Sequence, residues 1–234
     1  MNISPTHILK LKKMEIKPVA IFRSPLTEKF GIPRQAGVAP ALRGKIVLEP
    51  EYRSAQALRG LDGFDYVWLV WGFNLNREAA GNHLTVRPPR LGGNDRIGVF
   101  ASRSPFRPNP LGLSSVRIES IEFNSGIINV LGADLADGTP IYDIKPYVTY
   151  TDSHPEARSG FVDEKEWKGL EVEIPDDIAA AFSETDLAAL RQVLAEDPRP
   201  RYRGEDEKEY GLLFAGRNIK FKVKHGILIV KSIG

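Results

Sequence analysis

The chain has 234 residues, no cysteine, a formal net charge of +2, and 42% apolar against 26% charged residues. That balance excludes a wholly disordered chain, the missing cysteines exclude disulfides, thiolate nucleophiles and cysteine metal sites, and the small net charge excludes polyanion binding by bulk charge alone. At about 150 residues per domain, the length fits one large domain with a small companion.

The N-terminus, MNISPTHILKLKKMEIKPVA, lacks an apolar run followed by a small-residue cleavage site, so no signal peptide is read. The longest apolar run, 66–73, is far too short to span a bilayer, and a cytoplasmic location is expected. Residues 1–15 form an arm with little to tie it down. Segment 17–23, KPVAIFR, reads as a first strand, followed by a polar loop at 24–37 with Pro25, Gly31, Pro33 and Gly37. Segment 44–48, GKIVL, is a second strand, and 54–58 a helical turn ended by Gly60. Segment 65–73, DYVWLVWGF, is aromatic and β-branched and reads as a buried strand, with Trp68 and Trp71 as core residues.

A second long loop covers 74–96, then a strand at 97–101 and a proline-broken loop at 102–110. Strands at 114–123 and 126–131 form a hairpin joined at Asn124-Ser125-Gly126. Asp137-Gly138-Thr139-Pro140 is a turn, and 141–150 a further strand interrupted by Pro146. Strands with long loops and little helix argue for a barrel or sandwich. No G-x-G-x-x-G follows a strand and opens a helix, which disfavours a Rossmann domain.

After residue 160 the pattern changes. Pro175 precedes a helical turn at 176–182, and Ser183 caps a helix over 184–196 with Leu187, Leu190 and Leu194 on one face. A basic loop, DPRPRYRG, covers 197–204, and an acidic run, EDEKE, covers 205–209. Lys220, Lys222 and Lys224 alternate with Ile219, Phe221 and Val223 before a turn at His225-Gly226 and a last strand, ILIV. The expected fold class is therefore mainly β: a small β-barrel over 1–160, with a smaller C-terminal α+β domain over 161–234.

Between Arg87 and Pro110 lie five arginines and one acid, Asp95. Arginine's planar fork suits phosphate and carboxylate, and it also ties loops down through backbone carbonyls; charge alone does not separate these roles. Within this stretch, GVFASRSPFRPN (98–109) follows the pattern G-[AV]-F-[STA]-x-R-[SA]-x-x-R-P-N. Gly98, Val99, Phe100, Ala101, Arg103, Ser104, Arg107, Pro108 and Asn109 fill its specified positions. Further blocks occur at 21–35 (IFRSPLTEKFGIPRQ), 59–70 (RGLDGFDYVWLV), 85–94 (TVRPPRLGGN), 135–147 (LADGTPIYDIKPY) and 197–203 (DPRPRYR). On these residues the chain resembles the TsaA/TrmO family of S-adenosylmethionine-dependent tRNA methyltransferases over nearly its whole length.

The resemblance implies a small non-Rossmann β-barrel, a homodimer, and methylation of N6 of threonylcarbamoyl-adenosine beside the anticodon of threonine tRNA. It implies donor contacts at Pro33, Arg34 and Gln35, at Asn74 and Leu75, at Arg103, at Ser115, and at Ala133, Asp134, Leu135 and Ala136. Asn74-Leu75 departs from the histidine-glutamine pair of the family. Backbone contacts from this pair would leave the donor site unchanged, whereas side-chain contacts to the acceptor would alter substrate identity.

The acceptor nitrogen is a weak nucleophile that must lose a proton, so a carboxylate is needed near it. Asp137 of the DGTP turn is the candidate catalytic residue, the alternative being that it caps its own turn; Asp134 is the second acidic candidate. Arg103 either pairs with the donor carboxylate or an RNA phosphate, or ties down its loop. Arg107 and Asn109 are loop-ordering residues or ligands. Phe106 is a candidate base-stacking group, and Arg199, Arg201, Tyr202 and Arg203 form a second candidate RNA contact, with a solvated linker as the alternative. His83 and His154 lie in polar loops without metal-ligand spacing, so no metal is expected. The competing readings are a methyltransferase of this fold with another acceptor, and a non-catalytic donor- or RNA-binding module. Removing residues from about 165 onward is expected to weaken tRNA binding more than donor binding.

Overall fold

Alternating apolar residues set the barrel. The structure, a computed structural model, describes residues 14–75, 84–88, 91, 95–164, 168–199 and 208–234. Ala20 and Phe22 of β1 (Ala20–Arg23), Ile46 and Leu48 of β2 (Arg43–Leu48), and Val67, Leu69 and Trp71 of β3 (Tyr66–Gly72) are all buried. Their strand neighbours turn outward, as a pleated period of two requires. Two short strands, β4 (Thr85–Val86) and β5 (Ile97–Gly98), pair with each other outside the barrel. The long β6 (Leu111–Glu122), β7 (Ile127–Leu131) and β8 (Pro140–Pro146) complete it. The closed order is β1-β2-β7-β6-β3-β8, antiparallel at every joint. Closure leaves no free sheet edge.

Several expected strands are shorter than read: the one at 17–23 covers only Ala20–Arg23, and those at 97–101 and 141–150 give way to other structure. Within 97–101, Val99–Ala101 form a 3-10 turn, because Ser102 N–H turns back to the Val99 carbonyl at 3.2 Å and the Ser102 hydroxyl bonds it at 2.8 Å. The strand expected over 141–150 ends at Pro146, and Thr149–Asp152 form a helical turn.

The second sheet has the order β10-β11-β12-β9, from β9 (Glu171–Glu173), β10 (Tyr210–Phe214), β11 (Arg217–Lys224) and β12 (Ile227–Ile233). The expected 219–224 hairpin is its centre, with β9 added in parallel to β12. The helix Glu184–Ala195 covers it and buries Ala189, Leu190, Val193 and Leu194. Its Ser183 side chain accepts from Asp186 N–H at 3.1 Å, the expected cap.

The two hydrophobic cores do not divide at one point of the chain. Leu26, Ala39 and Leu42, from the segment between β1 and β2, are buried in the second core beside Leu212, Phe214 and Leu190. The same strap is stitched by the Ala41 N–H to Gln192 Oε1 at 2.7 Å and by Ala215 N–H to the Pro25 carbonyl at 2.9 Å. At Gly31, with φ +91°, an added Cβ would stand 2.1 Å from Leu212 Cδ1, so the strap lies directly on β10.

Candidate active site at one end of the barrel

Strand direction gathers the candidate residues. β1, β3 and β7 finish, and β2, β6 and β8 begin, at the same end of the barrel. Gln35 lies in the strap after β1, Asn74 follows β3, Ser114 opens β6, and Asp134 to Thr139 link β7 to β8. The signature loop reaches this end through Arg103.

The loop is ordered by its own short polar side chains. Ser104 N–H bonds Ser102 Oγ at 3.3 Å, and Phe106 N–H bonds Ser104 Oγ at 3.2 Å. Arg107 donates Nη1 to the Ser102 carbonyl at 3.1 Å and so ties the loop down. Arg103 is left pointing across the gap, where its Nη1 donates to Gln35 Oε1. Phe106 stays 41% exposed, with Lys29 Nζ 5.8 Å from its ring centre, a cation–π distance.

Asp134 is the acidic centre. Ala133, Leu135 and Ala136 on either side of it are buried. Ser114 donates its hydroxyl to Asp134 Oδ1 at 2.6 Å, and the Trp71 indole N–H donates to Ser114 Oγ at 3.0 Å. The Ala36 N–H, Asp134's own N–H and the Arg103 charge also favour the carboxylate. Burial outweighs them and pushes the Asp134 carboxyl above its ordinary value.

Asp137 is held differently. Its Oδ1 accepts from Ser24 N–H at 3.1 Å, its Oδ2 faces Arg23 Nη1 at 3.4 Å, and its own N–H donates to the Leu26 carbonyl. Both oxygens therefore clasp the DGTP turn to the end of β1. Asn74 Oδ1 accepts from the buried Thr139 hydroxyl at 3.2 Å, which holds the other side of the turn.

The remaining expected residues are less gathered. Pro33 is buried, while Arg34 is exposed beside a cleft of about 430 Å³ that includes Lys29, Phe30, Val193 and Glu196. Leu75 is exposed. Ser115 pairs with Trp68 on the outward face of its strand, opposite to Ser114. Arg199 commits its fork to Asp197, at 2.8 and 2.9 Å. Arg201, Tyr202 and Arg203, like His83, lie outside the described residues. Ser114, Trp71 and Thr139 join this candidate cluster without a sequence signal: Trp71 reads as core, and nothing local signals that its N–H meets a serine 43 residues away. Among the described residues, no group of three acidic or imidazole side chains is arranged to hold a metal ion.

Comparison with known proteins covers both parts of the chain. Residues 21–153 match the tRNA-methyltransferase O N-terminal domain, and residues 168–234 match the TrmO C-terminal domain. The chain is 36% identical over 223 residues to the tRNA (adenine(37)-N6)-methyltransferase of Escherichia coli, spanning 91% of this chain and 94% of that one. It is 41% identical over 204 residues to a putative S-adenosylmethionine-dependent methyltransferase, RcsF, of Pseudomonas aeruginosa, spanning 84% and 87%. A crystal structure of TrmO from Pseudomonas aeruginosa superposes with a TM-score of 0.76 at 30% identity, over 95% of this chain and 99% of that one.

Proposed function

The chain belongs to the tRNA-methyltransferase O family, and on that premise we propose that it transfers a methyl group from S-adenosylmethionine to N6 of an adenine beside the tRNA anticodon, with threonylcarbamoyl-adenosine of threonine tRNA as the acceptor. The observation that carries this reading is the meeting of Gln35, Arg103 and Asp134 at one end of the barrel. When bound there, the donor supplies an activated methyl group on a cationic sulfur. The polar set fits such a molecule: Arg103 offers a guanidinium for a carboxylate, and Asp134 a carboxyl in a poorly solvated setting.

The chain's own residues then position and desolvate the reactants. Gln35 holds the Arg103 guanidinium, and Asp134, with the Ala36 N–H beside it, faces the same charge. Asn74 supports this arrangement from behind, by holding Thr139, so its departure from the family's histidine leaves the turn intact. Asp137, the sequence candidate for proton handling, clasps the DGTP turn to the end of β1 through Ser24 and Arg23, whereas Asp134 is the acid whose proton affinity burial raises, and we take it as the better-suited acid. Phe106, partly exposed beside Lys29, is the ring we assign to stacking a base of the RNA. Cytoplasmic action as a homodimer completes the proposal.

Methyl-labelled donor incubated with the protein and bulk tRNA tests this reading. Label is expected in the adenine beside the anticodon. Donor binding with no label in any tRNA base would make the protein a binding module, and label in another nucleotide would give it another acceptor.

A further inference from the structure

We propose that Asp134 receives the proton released from the acceptor nitrogen, and that Ser114, anchored by Trp71, is the positioning residue that holds it for that task. The inference rests on the methyltransferase reading above and adds the proton's destination.

The direction of the hydrogen-bond chain is fixed by chemistry. An indole N–H only donates, so the Ser114 oxygen is the acceptor of the 3.0 Å bond from Trp71. The single Ser114 proton is then committed to Asp134, at 2.6 Å, the short length of a bond to a charged acceptor. Trp71 has little room to move. A Cβ at Gly112, directly across in β6, would stand 2.2 Å from its indole ring, and Phe73 packs edge-on at 4.4 Å between ring centres. Ser114 and Thr139 are the buried polar side chains among the described residues, and both serve this end of the barrel. A hydroxyl is not placed in such a site for packing, because burying one without a partner is costly.

Of the groups facing Asp134, Arg103 of the signature loop carries charge; the strap contributes the Ala36 N–H, β6 the Ser114 hydroxyl, and Trp71 of β3 backs that hydroxyl. Asp134 is the group of this set whose proton affinity is displaced by its surroundings. Its raised proton affinity suits a base that must take a proton from nitrogen.

The step balances. The acceptor nitrogen forms its bond to the methyl carbon as the carbon–sulfur bond returns its electron pair to sulfur. The N6 proton passes to an Asp134 oxygen and afterwards to water.

The test joins a spectroscopic signature to kinetics. In the wild-type protein, the Trp71 indole N–H resonance is expected to titrate with a midpoint above the ordinary aspartate value, matching the acid limb of the single-turnover rate. Asp134→Asn should abolish that titration and slow transfer on the order of 10²- to 10⁴-fold. Ser114→Ala should move the acid limb upward by about one to two pH units. A Trp71 resonance that stays flat through the acid limb, or a Ser114→Ala limb that superposes on wild type, overturns the proposal. A calorimetric loss of donor affinity in Asp134→Asn as large as its loss of rate also overturns it, by making Asp134 a donor contact. If wild-type protein methylates no tRNA adenine while Trp71 still titrates with Asp134, the methyltransferase reading fails and the hydrogen-bonded relay stands.

Discussion

Arg103 and Asp134 are opposite charges brought together from the signature loop and from the link between β7 and β8. Arg103→Ala is expected to weaken S-adenosylmethionine binding by about ten- to a hundredfold, the range for a lost hydrogen bond to a charged group. Unchanged calorimetric affinity would remove Arg103 from the donor site. Asp134 carries a stability signature of its own. Its folded-state proton affinity is raised, so the folded state binds the proton more tightly than the unfolded chain. Stability therefore falls as pH rises through the window between the unfolded and folded values. Asp134→Asn should then be more stable than wild type at neutral pH, and the advantage should vanish at pH below the unfolded value; urea unfolding at several pH values reads this directly. An advantage that persists in acid would mean that the substitution acts through packing instead. These two residues were legible in the sequence because they lie in recognisable blocks. Ser114 and Trp71 were not, because their roles depend on strand register. The neighbouring Ser115 is the serine that the resemblance implies as a donor contact, and alternation along β6 turns its side chain to the outer face.

The strap between β1 and β2 is the element that joins site and scaffold. Its proline and glycine content reads as a polar loop, and it does turn repeatedly. Yet Leu26, Ala39 and Leu42 leave it for the second core, while Gln35 and Ala36 face Arg103 and Asp134. Apolar residues scattered among the strap's prolines and glycines do not repeat at the spacing of a helix or a strand, so no sequence pattern announces them. Gly31 marks the contact: its φ of +91° disfavours any side chain, and a Cβ would collide with Leu212. Gly31→Ala is expected to cost about 1–3 kcal/mol in urea unfolding and to weaken donor binding as well. A variant that is destabilised but binds donor normally would separate the strap's two faces. By contrast, the helix Glu184–Ala195 was legible nearly to its ends, because Ser183 and a leucine stripe declare it.

At the scale of the whole molecule, the barrel and the second sheet share the strap. The sequence had suggested that removing residues from about 165 onward would cost tRNA binding more than donor binding. With Leu26, Ala39 and Leu42 stripped of their cover and the Ala41 and Pro25 bonds gone, such a truncation is expected to lose donor affinity too. Donor affinity equal to that of the full chain would show that the barrel holds the strap unaided. The barrel itself was legible from strands, long loops and the missing nucleotide-fold glycines; its closure was not, since pairing β1 with β8 joins residues far apart in the chain. The measurement that bears most directly on the whole account is the mass of tRNA nucleosides after incubation with purified full-length protein and S-adenosylmethionine. Threonylcarbamoyl-adenosine is expected to gain one methyl group with wild-type protein and to gain far less with Asp134→Asn. An unchanged threonylcarbamoyl-adenosine mass with wild-type protein and donor both present would contradict it.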